Sequence, residues 1–348
     1  MQAYPVADAT GLIKLDAMEN PHRLPLDLQQ ALGQRLGALA LNRYPGARVN
    51  DLRTALARYA QMPEGYALML GNGSDELITL LHVACAGVGA DGQRASVLAP
   101  APSFVMYAMG AQLQGLDYHG VPLTPDFALD EAAMLAAIAQ HRPTITYLAY
   151  PNNPTGNLWD DSAIERIIEA VGAQGGLVVM DEAYQPFSSK SYSQRMQRHP
   201  HVLLMRTLSK FGLAGVRIGY LIGPVTLMAE LEKVRPPYNI SALNAECALF
   251  ALEHAEVFAL QAQEICAQRA LLLEALGQLP NIQVYPSDAN MIVLRVPNAQ
   301  HSVQALKARG LLVKNVSAMH PLLHNCLRLT VGTPEENTLM IQALKESL

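Results

Sequence analysis

The sequence lacks the features that mark disulfide-bonded, metal-binding, membrane-spanning and exported proteins. Its four cysteines form no CxxC pair and its ten histidines form no HExxH motif, so it predicts neither a disulfide framework nor a metal site. No apolar run reaches the ~18 residues that a membrane span requires. The first residues contain no basic stretch followed by an apolar one, so we expect no export signal. These absences favour a cytoplasmic protein with reduced thiols.

An excess of positive charge is also missing. There are 25 Lys and Arg against 30 Asp and Glu, a net charge of −5, whereas a nucleic-acid partner requires a basic face. Hydrophobic residues make up 50% of the chain, which is enough to bury sizeable cores and excludes a disordered protein. At roughly 150 residues per domain, a length of 348 residues indicates two domains.

Short apolar runs alternate with helical patterns through the first two thirds of the chain. The runs are residues 67–70, 96–99, 145–150, 177–180 and 202–205. This alternation is typical of buried parallel strands between helices. Later the pattern changes to a long helical stretch at 243–279 and then to shorter strands and helices. We therefore predict an α/β fold, made of an N-terminal segment (1–30) that packs on the domains, a large domain (31–240) whose mostly parallel sheet lies between helices, and a smaller α+β domain (241–348).

A polar motif follows each of the five predicted strands. The motifs are GNGSDE (71–76), APSF (101–104), PNNPTG (151–156), DEAY (181–184) and TLSK (207–210). Ligands of parallel sheets bind beyond the carboxyl ends of the strands, so the motifs predict one shared site. The glycine turn lacks the third Gly of a dinucleotide fingerprint and the GK[ST] of a P-loop, which argues against a Rossmann dehydrogenase and a P-loop enzyme.

Lys210 has neighbours that indicate a particular chemistry. Ser209 and Arg217 flank it at a spacing that allows a hydroxyl and a guanidinium to reach one phosphate. An amine beside a bound phosphate suggests Schiff-base chemistry on a phosphorylated aldehyde cofactor. Asp181 emerges from a buried strand, where a carboxylate requires a cationic partner. A pyridinium nitrogen would be such a partner, and its charge makes the ring an electron sink.

Three further motifs narrow this interpretation: ENP (19–21), YPG (44–46) and CLRLTVGTPEEN (326–337). With the five motifs above, they resemble the histidinol-phosphate aminotransferases, pyridoxal-phosphate enzymes of fold type I. The resemblance covers residues 4 to 340, approximately, in one order. It implies a homodimer that exchanges an amino group between L-histidinol phosphate and 2-oxoglutarate, giving imidazole acetol phosphate and glutamate in histidine biosynthesis.

The resemblance also implies a role for individual residues. Lys210 would bind pyridoxal 5'-phosphate as a Schiff base and shuttle the proton, while Asp181 would pair with the pyridinium nitrogen. Asn153 and Tyr184 would hold the ring's O3′ oxygen, and Phe104 would stack on the ring. The cofactor phosphate would be held by Gly73, Ser74, Asp75, Ser209 and Arg217, and by Tyr44 of the other subunit. The substrate would be bound by Tyr4, Asn20, Lys314 and Arg328.

The chain departs from some relatives at Lys314, where they have Arg. Lysine still binds phosphate, but as a point charge without the bidentate fork of arginine. Phe104 replaces a Tyr, which keeps the stacking and removes a hydroxyl. Two other activities remain open on this fold, an aromatic amino acid aminotransferase and a lyase similar to threonine-phosphate decarboxylase. The pair of cations Lys314 and Arg328 favours a phosphorylated substrate over an aromatic amino acid.

Overall fold

A computed structural model of the chain describes residues 7–87, 92 and 94–348. The described strands are β1 (Ile13–Lys14), β2 (Tyr66–Gly71), β3 (Ser96–Ala101), β4 (Asp117–Pro122), β5 (Ile145–Ala149), β6 (Leu177–Asp181), β7 (Val202–Thr207), β8 (Gly219–Pro224), β9 (Gln283–Val284), β10 (Met291–Arg295), β11 (Leu311–Leu312), β12 (Lys314–Asn315) and β13 (Cys326–Thr330). The described helices are α1 (Leu26–Gly37), α2 (Arg48–Tyr59), α3 (Gly73–Cys85), α4 (Val105–Leu113), α5 (Glu131–His141), α6 (Asp161–Ala173), α7 (Val225–Leu231), α8 (Ala242–Glu253), α9 (Ala255–Gly277), α10 (Ala299–Ala308) and α11 (Pro334–Lys345).

The larger sheet has seven strands in the order β2-β8-β7-β6-β5-β3-β4. All are parallel except β8, which is antiparallel to both of its neighbours. The α/β fold with a mostly parallel sheet is thus confirmed, and the five predicted strands are β2, β3, β5, β6 and β7. Two strands were not predicted. The sequence of β4, DYHGVP, is polar because it forms an edge of the sheet, and glycines interrupt β8.

Helices cover both faces of this sheet, which explains why its strands are apolar throughout. In β6, Val178 and Met180 pack in one cluster with Ile168 of α6. Val179 points to the opposite face and packs in another cluster with Leu77 of α3. Alternate residues of a strand face opposite sides, so burial on both sides requires an unbroken apolar run.

A second, antiparallel sheet has the order β12-β13-β10-β9 and packs with α9, α10 and α11 around its own apolar cluster. Leu15 and Met18 of the N-terminal segment belong to this cluster, and β1 pairs with β11. The helical stretch predicted as continuous at 243–279 is instead two helices, α8 and α9, because the backbone leaves the helical conformation at His254. The predicted domain boundaries at 30 and 240 stay predictions.

Within the described part of the chain, no helix combines the length and the apolar character needed to cross a membrane. The same residues contain no cluster of three or more His, Cys, Asp or Glu side chains that could hold a metal ion.

Candidate active site

A cavity of about 340 Å³ lies beyond the carboxyl ends of the parallel strands. It is enclosed by the loops that follow these strands and by residues 17–19 of the N-terminal segment. Most of the residues predicted to bind the cofactor line it: Ser74, Asp75, Phe104, Asn153, Asp181, Tyr184, Ser209, Lys210 and Arg217. The parallel sheet thus brings together, in one place, side chains from motifs more than a hundred residues apart.

Lys210 lies just beyond β7, in the helical turn Ser209–Leu213. Its Nζ donates a hydrogen bond of 3.0 Å to the main-chain oxygen of Ala17 and lies 5.7 Å from the centre of the Tyr184 ring. Burial, followed by the positive charges of Arg328 and Arg217, lowers the pKa of Lys210 to about 8. An amine with this pKa is partly neutral, and therefore nucleophilic, near physiological pH.

Asp181 is the last residue of β6 and is buried. Its Oδ2 accepts a hydrogen bond of 2.5 Å from the Tyr107 hydroxyl, and its Oδ1 accepts one of 3.1 Å from the amide of Ala183. Burial raises the pKa of Asp181 to about 6, although both hydrogen bonds oppose the rise. Within the described residues this carboxylate forms no salt bridge. A buried carboxylate that faces a cavity is suited to a cationic ring nitrogen of a ligand.

The first turn of α3 forms an anion cradle with Arg217. Gly73 has a φ of +77°, and a β-carbon there would lie 2.8 Å from Nη2 of Arg217. Only glycine therefore allows the guanidinium to lie against this turn. The Arg217 Nη2 is 3.4 Å from Oδ2 of Asp75, so its contact with the protein is weak. Free amides at a helix N-terminus and an adjacent guanidinium are groups that bind phosphate.

Arg328 holds the side chain of Asn153 through a hydrogen bond. The Arg328 Nη1 donates to Oδ1 of Asn153 over 2.8 Å, and its Nη2 donates to the main-chain oxygen of Asp16 over 2.8 Å. Arg328 is buried in β13, and Lys314 is its register partner in β12. Neither cation is among the residues that line the cavity. Their predicted contact with substrate stays a prediction.

The remaining predicted residues lie away from the cavity wall or outside the described residues. Asn20 donates to Oε1 of Gln261 over 2.9 Å and does not line the cavity. Tyr44 is 77% exposed and stacks on Tyr238, with 4.6 Å between ring centres. Tyr4 lies outside the described residues. An exposed Tyr44 is available for a contact with another subunit, and its role at the cofactor phosphate stays a prediction.

Several residues that line the cavity were not predicted, among them Tyr107, Glu19 and Ala17, whose carbonyl accepts from Lys210. Tyr107 follows Phe104 by three residues at the start of α4, a spacing that places two side chains on one helix face. Glu19 is part of the ENP motif. No sequence pattern identifies Ala17, because every residue has a main-chain oxygen.

The side chains present fit pyridoxal 5'-phosphate. A nucleophilic amine, a buried carboxylate and a phosphate cradle that a β-carbon would fill are the three groups that its aldehyde, ring nitrogen and phosphate require. The fold and the cavity together define a fold-type-I enzyme of the pyridoxal-phosphate class.

Comparisons with known proteins identify the family. The family described as "Aminotransferase class I and II" matches residues 10–344. The histidinol-phosphate aminotransferase of Polaromonas naphthalenivorans is 70% identical over 100% of this chain and 94% of its own length. The chain therefore belongs to the class I and II aminotransferases and, within them, to the histidinol-phosphate aminotransferase family.

Two solved structures share the fold. The histidinol-phosphate aminotransferase of Clostridium acetobutylicum has a TM-score of 0.86 at 20% identity, over 96% of this chain and 98% of the other. That of Sinorhizobium meliloti, solved in complex with pyridoxal-5'-phosphate, has a TM-score of 0.84 at 22% identity, over 99% of this chain and 95% of the other.

Proposed function

We propose that this protein transfers the amino group of L-histidinol phosphate to 2-oxoglutarate, with pyridoxal 5'-phosphate as its cofactor. The products are imidazole acetol phosphate and glutamate, and the reversible reaction is a step of L-histidine biosynthesis. The observation that carries the proposal is the cavity that contains both the low-pKa amine of Lys210 and the buried carboxylate of Asp181. Family membership supplies the choice of substrate.

Each side chain then has a part in the reaction. The bound cofactor supplies an electron sink for the carbon that carries the substrate amine. Nζ of Lys210 would hold the cofactor through its aldehyde carbon and would shuttle the proton between the substrate Cα and the cofactor C4′. Asp181 holds the positive charge on the ring nitrogen. Asn153 and Tyr184 orient the ring through its O3′ oxygen, while Phe104 covers one of its faces.

The first turn of α3 and the residues next to it would bind the phosphate of the cofactor. Gly73, Ser74 and Asp75 bring main-chain amides, and Ser209 and Arg217 bring a hydroxyl and a charge. These groups fix the position of the ring and contribute no proton to the reaction. In this proposal Tyr44 of the partner subunit adds a further hydroxyl, which makes the active enzyme a homodimer. We also infer that the enzyme acts in the cytoplasm.

Two cations support a phosphorylated substrate. Lys314 and Arg328 are paired in neighbouring strands, and Arg328 is bonded to Asn153 of the cavity wall over 2.8 Å. In this proposal both charges bind the phosphate of the substrate. By the resemblance, Tyr4 and Asn20 would also contact the substrate. An aromatic amino acid offers no group that requires two cations.

A spectral titration tests the proposal. The purified, cofactor-loaded protein is titrated with L-histidinol phosphate in the absence of any 2-oxo acid. We expect the visible band of the bound cofactor to disappear stoichiometrically and to return when 2-oxoglutarate is added, because the two half-reactions share one site. Parallel titrations with L-phenylalanine and O-phospho-L-threonine, with carbon dioxide measured, test the two other activities. A coloured protein that responds to one of these and ignores histidinol phosphate would contradict the proposed substrate.

A further inference from the structure

Tyr107 contacts two of the residues that face the cofactor site. Its hydroxyl donates a hydrogen bond of 2.5 Å to Oδ2 of Asp181. Its ring meets that of Phe104 edge to face, with 5.7 Å between centres and 88° between planes. Both neighbours line the cavity. Tyr107 therefore joins the carboxylate predicted to face the ring nitrogen with the aromatic ring predicted to cover the ring face.

Two further aromatic side chains, Tyr147 and His82, fix the position of Tyr107. Tyr107 is fully buried. Its ring stacks on Tyr147 with 4.2 Å between centres and 9° between planes, and the Tyr147 hydroxyl lies 3.0 Å from Nε2 of the buried His82. The stacking contact with Tyr147 and the edge-to-face contact with Phe104 together hold the Tyr107 ring in one orientation. The hydroxyl thus has a defined direction toward Asp181.

The same environment makes Tyr107 a permanent donor. Burial, followed by the negative charge of Asp181, raises the pKa of Tyr107 well above its ordinary value. The phenol therefore keeps its proton at physiological pH. Asp181 consequently has each oxygen bound to a separate donor, Oδ2 to Tyr107 and Oδ1 to the amide of Ala183.

We propose that Tyr107 is a positioning residue for Asp181: its hydroxyl holds the carboxylate ionised and in one orientation toward the ring nitrogen of the bound cofactor. The inference rests on the proposed function, since it requires pyridoxal phosphate in this cavity. Without the Tyr107 donor, a carboxylate buried this deeply would take a proton more readily and could rotate. Its pairing with a pyridinium nitrogen would then weaken.

The test compares two ligands that differ only at the ring nitrogen. The cofactor-free protein is titrated with pyridoxal phosphate and with an analogue in which a carbon replaces that nitrogen. A hydrogen bond to a charged group predicts that Tyr107→Phe binds pyridoxal phosphate at least about tenfold more weakly. The analogue cannot pair with Asp181, so its affinity should change little. Tyr147→Phe is the matched control, because it removes a hydroxyl one ring further away and should leave both affinities intact.

The outcomes separate a positioning role from a structural one. An equal loss for both ligands in Tyr107→Phe, or no loss for either, would overturn the inference. Wild-type protein that fails to bind pyridoxal phosphate would instead overturn the proposed function, and this inference with it. If Tyr107→Phe does not fold, the double variant Tyr107→Phe/Asp181→Asn removes the unpaired buried charge. It should bind pyridoxal phosphate as Asp181→Asn does, and any further selective loss would show that Tyr107 acts independently of Asp181.

Discussion

The amine of Lys210 is hydrogen-bonded to the main-chain oxygen of Ala17, 193 positions earlier in the chain, over 3.0 Å. The N-terminal segment that carries Ala17 is itself fixed to the second sheet. Arg328 donates to the oxygen of Asp16 and Asn290 donates to the oxygen of Met18. The cavity thus has a wall that belongs to neither sheet, and this wall orients the reactive amine.

The first prediction concerns the pH at which Lys210 reacts. Its pKa is about 8, lowered from 10.5, so the neutral amine fraction should rise with pH and reach half near pH 8. The rate at which cofactor-free protein captures pyridoxal phosphate, followed by its visible band, should rise with the same midpoint. Arg328 is the charged residue that lowers the pKa of Lys210 most. Arg328→Gln removes this charge, so it should move the midpoint to higher pH.

The exposed Arg166 provides the control for this experiment. Arg166→Gln removes the same charge at a surface site where the arginine is paired with Glu131, and it should leave the midpoint unchanged. A wild-type midpoint near 10.5, or equal profiles for wild type and Arg328→Gln, would show that the buried site does not lower the pKa in this way.

The second prediction concerns the turn of α3. Gly73→Ala places a methyl group against the guanidinium of Arg217, so it should weaken the binding of pyridoxal phosphate by about tenfold or more, as expected when a charge-assisted hydrogen bond is disturbed. Gly65→Ala is the matched control. Gly65 also has a positive φ, +80°, but a β-carbon there meets no described atom within 4 Å. Both variants should lose stability from backbone strain, about 1–2 kcal/mol.

Fluorescence titration of the two cofactor-free variants distinguishes strain from displacement of Arg217. Equal cofactor affinities for Gly73→Ala and Gly65→Ala would mean that the turn tolerates a side chain and that Arg217 is not required in its present position.

Much of the site follows from local sequence. Asp181 comes directly after one apolar run, Lys210 lies five residues after the end of the next run, and parallel strands end at a common edge, so their convergence is predictable. The Tyr107–Asp181 bond is not, because it depends on the order of the strands. Tyr107 follows β3, whereas Asp181 ends β6, and β5 lies between these strands. Only the tertiary structure shows that a tyrosine can span this gap.

The antiparallel direction of β8 was missed for a different reason. Only residues 208–218 connect β7 to β8, and such a connection is short for the helical crossover that a parallel neighbour requires. Gly219 and Gly223 interrupt the apolar pattern of β8, so the strand was not predicted from the sequence. Once the strand is known, the short connection at 208–218 predicts its antiparallel direction.

The third prediction concerns stability. Glu182, next to Asp181, forms a buried salt bridge of 2.8 Å with Arg206, and their side chains are 0% and 7% exposed. Glu182→Ala leaves the Arg206 charge buried without its partner, which should lower the free energy of unfolding by about 3–5 kcal/mol. The control is Glu230→Ala, which breaks the exposed pair with Lys233 and should cost at most about 1 kcal/mol. Urea unfolding at equal cofactor saturation measures both, and a loss below about 1 kcal/mol for Glu182→Ala would contradict the prediction.

The fourth prediction tests whether Tyr44 acts across a subunit interface. Tyr44 is 77% exposed and lies outside the cavity, although the resemblance assigns it to the cofactor phosphate. In the proposed homodimer, the variant Lys210→Ala lacks the amine and should lose activity by roughly 10²–10⁴-fold or more. Homodimers of Tyr44→Ala should bind pyridoxal phosphate more weakly and be less active. A mixed dimer then has one site with both defects and one site with neither.

Mixing the two variants under conditions that exchange subunits should therefore restore activity, toward one wild-type site in each mixed dimer. If Tyr44 served its own subunit, every site of the mixed dimer would carry one defect and no activity would return. Mixing Lys210→Ala with Asp181→Asn provides the control. Both residues line the same cavity of one chain, so every site of this mixed dimer carries one defect and no intact site forms. Recovery in the first mixture alone requires that a tyrosine exposed in one chain completes the phosphate site of another.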